Sequence, residues 1–152
     1  MENKTYGNCI ITKAVIFAAE KHHGTIRKGS EENPLPYIVH PMEAATIAAT
    51  MTNDPNVIAA ALLHDVVEDT DVSIETIKAE FNDIIAELVA GETENKRAGE
   101  PPGETWGIRK QETLDFLKHA DENSKIITLS DKLSNIRALK QVPGEGDKHI
   151  NE

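Results

Sequence analysis

The sequence predicts an all-α fold, a compact helical bundle with long loops bordering its active site. Three observations carry that prediction: apolar residues recur at three- and four-residue intervals, proline and serine stand where helices begin, and no pair of runs alternates as half-buried strands do. A chain of 152 residues can bury about two thirds of its unfolded surface in a single domain. That domain is assigned to 1–141, and the polar 142–152 reads as a poorly ordered tail.

Over 10–21, Ile10, Ala14, Phe17 and Ala18 share a helical face, and Gly24 follows as a helix stop. The polar stretch 25–36 holds Arg27, Lys28 and Gly29 and ends in Asn33, Pro34, Leu35 and Pro36, so it reads as a loop with at most a short extended piece. Pro41 is placed as the first residue of a second helix, 41–51, because its fixed φ suits that position. His40 would then stand just outside, on a backbone that the following proline holds extended. A third helix from Pro55 through His64 is apolar on every side of its wheel, which predicts burial nearly all round.

Ser73 opens a short helix with Ile74, Ile77 and Phe81, and the next, with Ile84, Ile85, Leu88 and Val89, is stopped by Gly91. The charged, Gly- and Pro-rich segment 92–104 reads as an exposed loop able to act as a lid. Residues 106–119 form a helix with Leu114 and Leu117 inward and Trp106 as a packing anchor. In the last helix, 124–140, Ile126, Leu129, Leu133 and Ile136 make the apolar face, while Ile127 and Ala138 flank Asp131 on the other side and enclose it. An enclosed carboxylate must be paired, protonated or bound to a metal.

Net charge is −10, from 26 acidic against 16 basic residues, which argues against nonspecific binding to a nucleic acid polymer or an anionic membrane. An anionic small substrate would need a bound cation or a local basic patch. The single Cys9, the lack of a long apolar run and the absence of a signal-like N-terminus point to the cytoplasm. Nothing in the sequence fixes an oligomeric state.

The stretch AAALLHDVVEDTD at 59–71 runs apolar residues straight into an imidazole and a cluster of carboxylates, with His64 one turn from Glu68 and Asp65 one turn from Asp69. Like charges at that spacing cost roughly 0.2–0.5 kcal/mol per pair, and a helix's last turn already carries the negative end of its dipole. A cation relieves both. A lone histidine ending an apolar helix is ordinarily a hydrogen-bonded core residue; the adjacent Asp65, with His40 and Asp131 elsewhere, turns the reading to a metal. Two imidazoles and two carboxylates suit manganese, iron, cobalt, zinc or magnesium and leave positions for water and substrate. Glu68 or Asp69 can aim that water or accept its proton. His22, His23, His119 and His149 read as surface residues.

His40, the doublet His64-Asp65 and the later Asp131 follow the order of the HD phosphohydrolase superfamily. Arg27-Lys28 followed by PYIVHP at 36–41, LLHDVVEDT at 62–70 and LSDKLSNIR at 129–137 resemble the hydrolase domain of the RelA/SpoT family and its small single-domain alarmone hydrolases, over roughly residues 10–139. The resemblance implies a helical HD-domain bundle that removes the 3′-diphosphate from guanosine tetra- and pentaphosphate, the alarmones of the stringent response, with Mn2+ as the usual metal. Position by position, it makes His40, His64, Asp65 and Asp131 the metal ligands and Glu68 and Asp69 the acidic pair that positions or activates water. It sets Arg27 and Lys28 beside the nucleotide, with Asn135 and Arg137 lining its pocket. Asn135 also lies one turn from Asp131 on the same face, whereas Arg137 lies about 120° round the helix.

Three departures accompany the match: extra length at 30–34, Ala138 where longer members often carry Thr, and an end soon after the last motif, without the C-terminal helix that helps close the family's pocket. The segment 92–110 is similar to a subgroup of small HD proteins, where Lys96, Arg109 and Lys110 would serve phosphates. The expected function is a guanosine 3′,5′-bis(diphosphate) 3′-pyrophosphohydrolase. The alternatives are an HD phosphohydrolase for another nucleotide and a regulator that binds metal and nucleotide without turnover.

Overall fold

The computed structural model describes residues 9–30, 32–94 and 99–139. Along them run α1 (Ile10–Lys21), α2 (Val39–Ala48), α3 (Pro55–Leu63), α4 (Val66–Asp69), α5 (Ile74–Glu80), α6 (Asp83–Glu92), α7 (Pro102–His119) and α8 (Glu122–Leu139). Among the described residues the one strand-like feature is an antiparallel bridge between Ile26 and Pro36, so the all-α expectation holds. The 142–152 tail and Lys96 lie outside the described residues.

The bundle is arranged around α3, against which α1, α2, α6 and α8 all pack. Val57, Ala59, Ala60, Ala61, Leu62 and Leu63 are all buried, as an apolar helix without a polar stripe requires. Alanines set the spacing: Ala14 and Ala18 of α1, Ala44 and Ala48 of α2 and Ala86 of α6 let the backbones approach, and the leucines fill what remains. Burying each Leu or Val side chain contributes about 1.5–3 kcal/mol. Four of the helices start on side-chain caps, among them α8, where Asp121 accepts from the Ser124 N–H at 2.8 Å. Asp54 accepts from the Asn56 N–H at 2.8 Å, Ser73 from Thr76 at 3.2 Å and Asn82 from Ile85 at 2.8 Å.

Several boundaries differ from the sequence reading, each for a local reason. α2 begins two residues before Pro41, because the Val39 and His40 N–H groups already bond the Pro36 and Tyr37 carbonyls at 3.2 and 3.0 Å. Pro41 then occupies the third helical position, where its missing N–H still has no carbonyl of the helix to bond. His40 is therefore helical rather than extended. At the other end of the core, α3 stops at Leu63, and His64 and Asp65 form a turn into α4. The Asp69 N–H still bonds the Asp65 carbonyl at 2.9 Å, so their one-turn spacing survives.

Gly91 does not stop α6. It lies inside that helix, where a Cβ would come 2.9 Å from Cζ of Phe116, so glycine permits α7 to pass closely. α7 starts at Pro102, four residues earlier than expected, since proline fits the first helical turn. Trp106 and Leu114 are exposed rather than packed inward. In α8 the expected apolar face holds only in part: Ile126 is buried, but Leu129 and Ile136 are about half exposed, while Ser124, Ile127, Thr128, Ser130, Asp131 and Ser134 are buried. The polar face turns inward because its partners are there, on α2 and α6.

Leu63→Ala is expected to lower stability by about 2–5 kcal/mol, whereas Ile84→Ala, at an exposed position of α6, should stay within about 0.5 kcal/mol. Urea denaturation followed by circular dichroism checks both, and equal losses would contradict a core centred on α3.

Candidate active site

Four side chains from three places in the fold meet at one end of α3. His40 comes from the first turn of α2, His64 and Asp65 from the turn after α3, and Asp131 from the middle of α8. His40 Nε2 lies 3.4 Å from Asp65 Oδ2 and 3.2 Å from Asp131 Oδ1; His64 Nε2 lies 3.0 Å and 3.6 Å from the same two oxygens. His40, His64 and Asp65 form the group whose ligand atoms all fall within 4.8 Å of one another. Asp131 faces both ring nitrogens from α8.

These separations fit a shared cation. Ligand atoms about 2.0–2.2 Å from a metal and about 90–110° apart are separated by about 3.0–3.5 Å. His64 Nδ1 stands 2.8 Å from the Ala61 carbonyl, which can only accept, so Nδ1 carries a proton and Nε2 is the atom turned to the centre. That buried Nε2 has no hydrogen-bond partner among the described residues, as expected of an atom kept for a metal. The C-terminal end of α3 points the negative end of its dipole at the same spot.

Electrostatics agree. Burial opposes charge on His64, but Asp65 and Asp131 outweigh it and hold the ring well above its ordinary value. Burial likewise pushes Asp65 up, and His64, His40 and the Tyr37 hydroxyl overcome it, leaving the carboxyl well below the usual range. Asp131, buried beside His40, His64 and Lys132, is depressed in the same way. A field that favours positive charge at the ring nitrogens favours a divalent metal there too.

The centre opens onto a cavity of about 1170 Å³. Arg27 and Lys28 line it from a pinned ribbon rather than a free loop: the Arg27 N–H bonds the Leu35 carbonyl at 2.9 Å, Tyr37 N–H bonds Thr25 at 2.9 Å, and Gly29 turns at φ +79°. Arg27 Nη2 donates to Asn135 Oδ1 at 3.1 Å, and Asn135 Nδ2 donates to Asp131 Oδ1 at 2.7 Å, linking the basic ribbon to the centre. Glu68 and Asp69 line the cavity as well, and Glu68 Oε2 accepts from the Glu94 N–H at 3.2 Å. Arg137 does not line it; its Nη1 lies 3.3 Å from Glu43 Oε1 on the outer side of α8.

Apart from Arg109 and Lys110, the other residues at the site carry no role that the sequence assigns. The Tyr37 hydroxyl donates to Asp65 Oδ2, and burial, then the charge of Asp65, pushes its pKa up, so it stays a donor. His22, expected at the surface, is buried with its ring 4.8 Å from that of Tyr37, and burial lowers its pKa. On the far wall Glu94 pairs with Arg109 at 2.8 Å and Lys110 at 2.7 Å, so these cations are already engaged by a carboxylate. Glu92 receives the Thr128 hydroxyl at 2.7 Å, and burial raises its pKa. The Thr128, Asp131, Asn135 spacing, a polar stripe on one face of α8, was the signal available for this wall.

The chain is also similar to known proteins. The HD domain family matches residues 14–152. The guanosine-3′,5′-bis(diphosphate) 3′-pyrophosphohydrolase MESH1 of Danio rerio is 37% identical over 139 residues, covering 90% of this chain and 73% of its own. An Aquifex aeolicus protein named for the same activity is 37% identical over 129 residues, which span 85% of this chain and 18% of that longer one. Among solved structures, a metazoan ortholog of SpoT that hydrolyses ppGpp superposes with a TM-score of 0.78 at 32% identity, covering 91% of this chain and 75% of that one.

Metal binding at this centre would displace protons from the rings. Because Asp65 and Asp131 hold the His64 proton more tightly than water would, affinity should rise with pH and go on rising above the ordinary imidazole value of about 6.5. Calorimetry with a divalent metal, in buffers of different ionisation enthalpy, reads both affinity and protons released. An affinity independent of pH would contradict the centre.

Proposed function

The chain belongs to the HD-domain family, and from that premise we propose that it hydrolyses guanosine 3′,5′-bis(diphosphate) to the nucleoside diphosphate and pyrophosphate. The observation that carries the reading is the convergence of His40, His64, Asp65 and Asp131 on the wall of a cavity that Arg27 and Lys28 also line. Relatives named for this activity support the choice of substrate. In this reading the four converging residues hold a divalent cation, with Mn2+ as a good match to two nitrogens and two carboxylates. When bound, the cation supplies a Lewis acid that lowers the pKa of water and draws charge from a phosphoryl oxygen.

The protein's own groups do the rest. Glu68, fixed by the Glu94 N–H, and Asp69 beside it aim the attacking water and take its proton. The water oxygen bonds the phosphorus nearest the ribose, the bond from that phosphorus to the 3′ oxygen breaks, and the 3′ oxygen departs with the proton that the acidic pair took from water. Arg27 and Lys28 offset phosphate charge, which a chain of net charge −10 must do locally. Asn135, bonded to both Arg27 and Asp131, keeps the nucleotide side in register with the metal side. Among the described residues no helix is long and apolar enough to cross a membrane. The partner is a small nucleotide rather than a polymer or a membrane, and the cytoplasm is where such a substrate is met.

With Mn2+ the protein should release pyrophosphate and guanosine diphosphate in equal amounts from the alarmone, read by ion-exchange chromatography; no pyrophosphate would sink this reading. The Glu68→Gln, Asp69→Asn double variant should lose about 10²–10⁴-fold in kcat while keeping its metal affinity within a few fold. Undiminished turnover would remove these two residues from the mechanism.

A further inference from the structure

His40 makes a second contact away from the centre. Its Nδ1 lies 2.8 Å from the Ser134 hydroxyl, and that hydroxyl donates to Glu43 Oε2 at 2.7 Å. His40 and Ser134 are buried, Glu43 is half-buried, and Arg137 Nη1 reaches Glu43 Oε1 at 3.3 Å from outside. We propose that Glu43, acting through Ser134, is a positioning residue that locks the His40 ring with Nε2 facing the metal, and that Arg137 anchors this relay rather than the nucleotide.

The protons fix the direction of both hydrogen bonds. A serine hydroxyl has one hydrogen, and an ionised carboxylate can only accept. Ser134 must therefore give its proton to Glu43 and accept from His40, so His40 carries its proton on Nδ1 and presents a bare Nε2. The opposite tautomer would turn the serine proton to the ring and leave Glu43 without it. Histidine ligands to metals commonly give their other N–H to a carboxylate or carbonyl, which fixes ring orientation. Here a hydroxyl intervenes: Glu43 lies one turn from His40 on α2, on the same face, and Ser134 of α8 bridges the two. His64 reaches the same state by a different route, through the Ala61 carbonyl.

The inference rests on His40 being a metal ligand, not on which nucleotide is cleaved. Mn2+ affinity measured by calorimetry on the parent, Ser134→Ala, Glu43→Ala and the double variant tests it, with circular dichroism melting as the control for folding. Each single change should weaken Mn2+ by about 10–100-fold, and the double variant by no more than the larger single effect, since Glu43 acts only through Ser134. Additive losses, or unchanged affinity in a folded Ser134→Ala or Glu43→Ala, would overturn the relay. His40→Ala separates the two failures: if it leaves Mn2+ binding intact, the metal reading itself is wrong. In the Zn2+-loaded parent, 15N NMR should show the His40 proton on Nδ1. Arg137→Gln should lower Mn2+ affinity several-fold with KM for the nucleotide unchanged at saturating metal; a raised KM with unaltered metal affinity would return Arg137 to the substrate.

Discussion

The arrangement depends on keeping two ionised carboxylates, Asp65 and Asp131, beside two imidazoles at the end of a helix buried on every side. Taking an ionised carboxylate out of water costs several kcal/mol. The cost is offset only while positive charge stays between the two acids. Protonated imidazole supplies some of it, and a divalent cation supplies more while leaving the rings neutral. Lys132 bonds the Asp131 oxygen turned away from the rings, while Tyr37 and Asn135 donate to the two oxygens that face the rings and hold them in place. Every helix around the site can be understood as holding one of these groups in place.

That requirement explains the shape of the core. α3 delivers His64 and Asp65, and the alanines on α1, α2 and α6 allow neighbours to close on it so tightly that its end is held rigidly. α2 and α8 pack against each other with His40 and Asp131 on the facing sides. α7 buries little beyond Thr105 among its described side chains and forms the outer wall of the cavity, with Arg109 and Lys110 held by Glu94. The basic ribbon at Arg27 and Lys28 stands on the other side. Basic side chains therefore stand on both walls of the cavity, those of α7 already paired with Glu94.

Much of this was legible in the sequence, and what was not has physical causes. The buried α3 could be read because an all-round apolar wheel has only one explanation, and the caps at Ser73 and Gly24's left-handed turn follow local chemistry. The start of α2 was misplaced because Pro41 is compatible with more than one position in the first turn. With His40 set outside the helix, its one-turn spacing to Glu43 was hidden. In α8 hydrophobicity alone does not mark the inward face, because a site made of carboxylate, serine and threonine draws those residues in and leaves Leu129 and Ile136 outside. Gly91 answers to Phe116, twenty-five residues along, which no local pattern reveals. His22 and Tyr37 are similar, since only the fold brings α1's end against the ribbon.

The central claim is that a divalent cation sits among His40 Nε2, His64 Nε2 and the carboxylates of Asp65 and Asp131. Anomalous diffraction from crystals of the Mn2+-loaded protein tests it directly. One peak is expected about 2.0–2.3 Å from all four groups, with both rings bound through Nε2. A peak at Glu92 or Glu94 instead, or a ring bound through Nδ1, would contradict it.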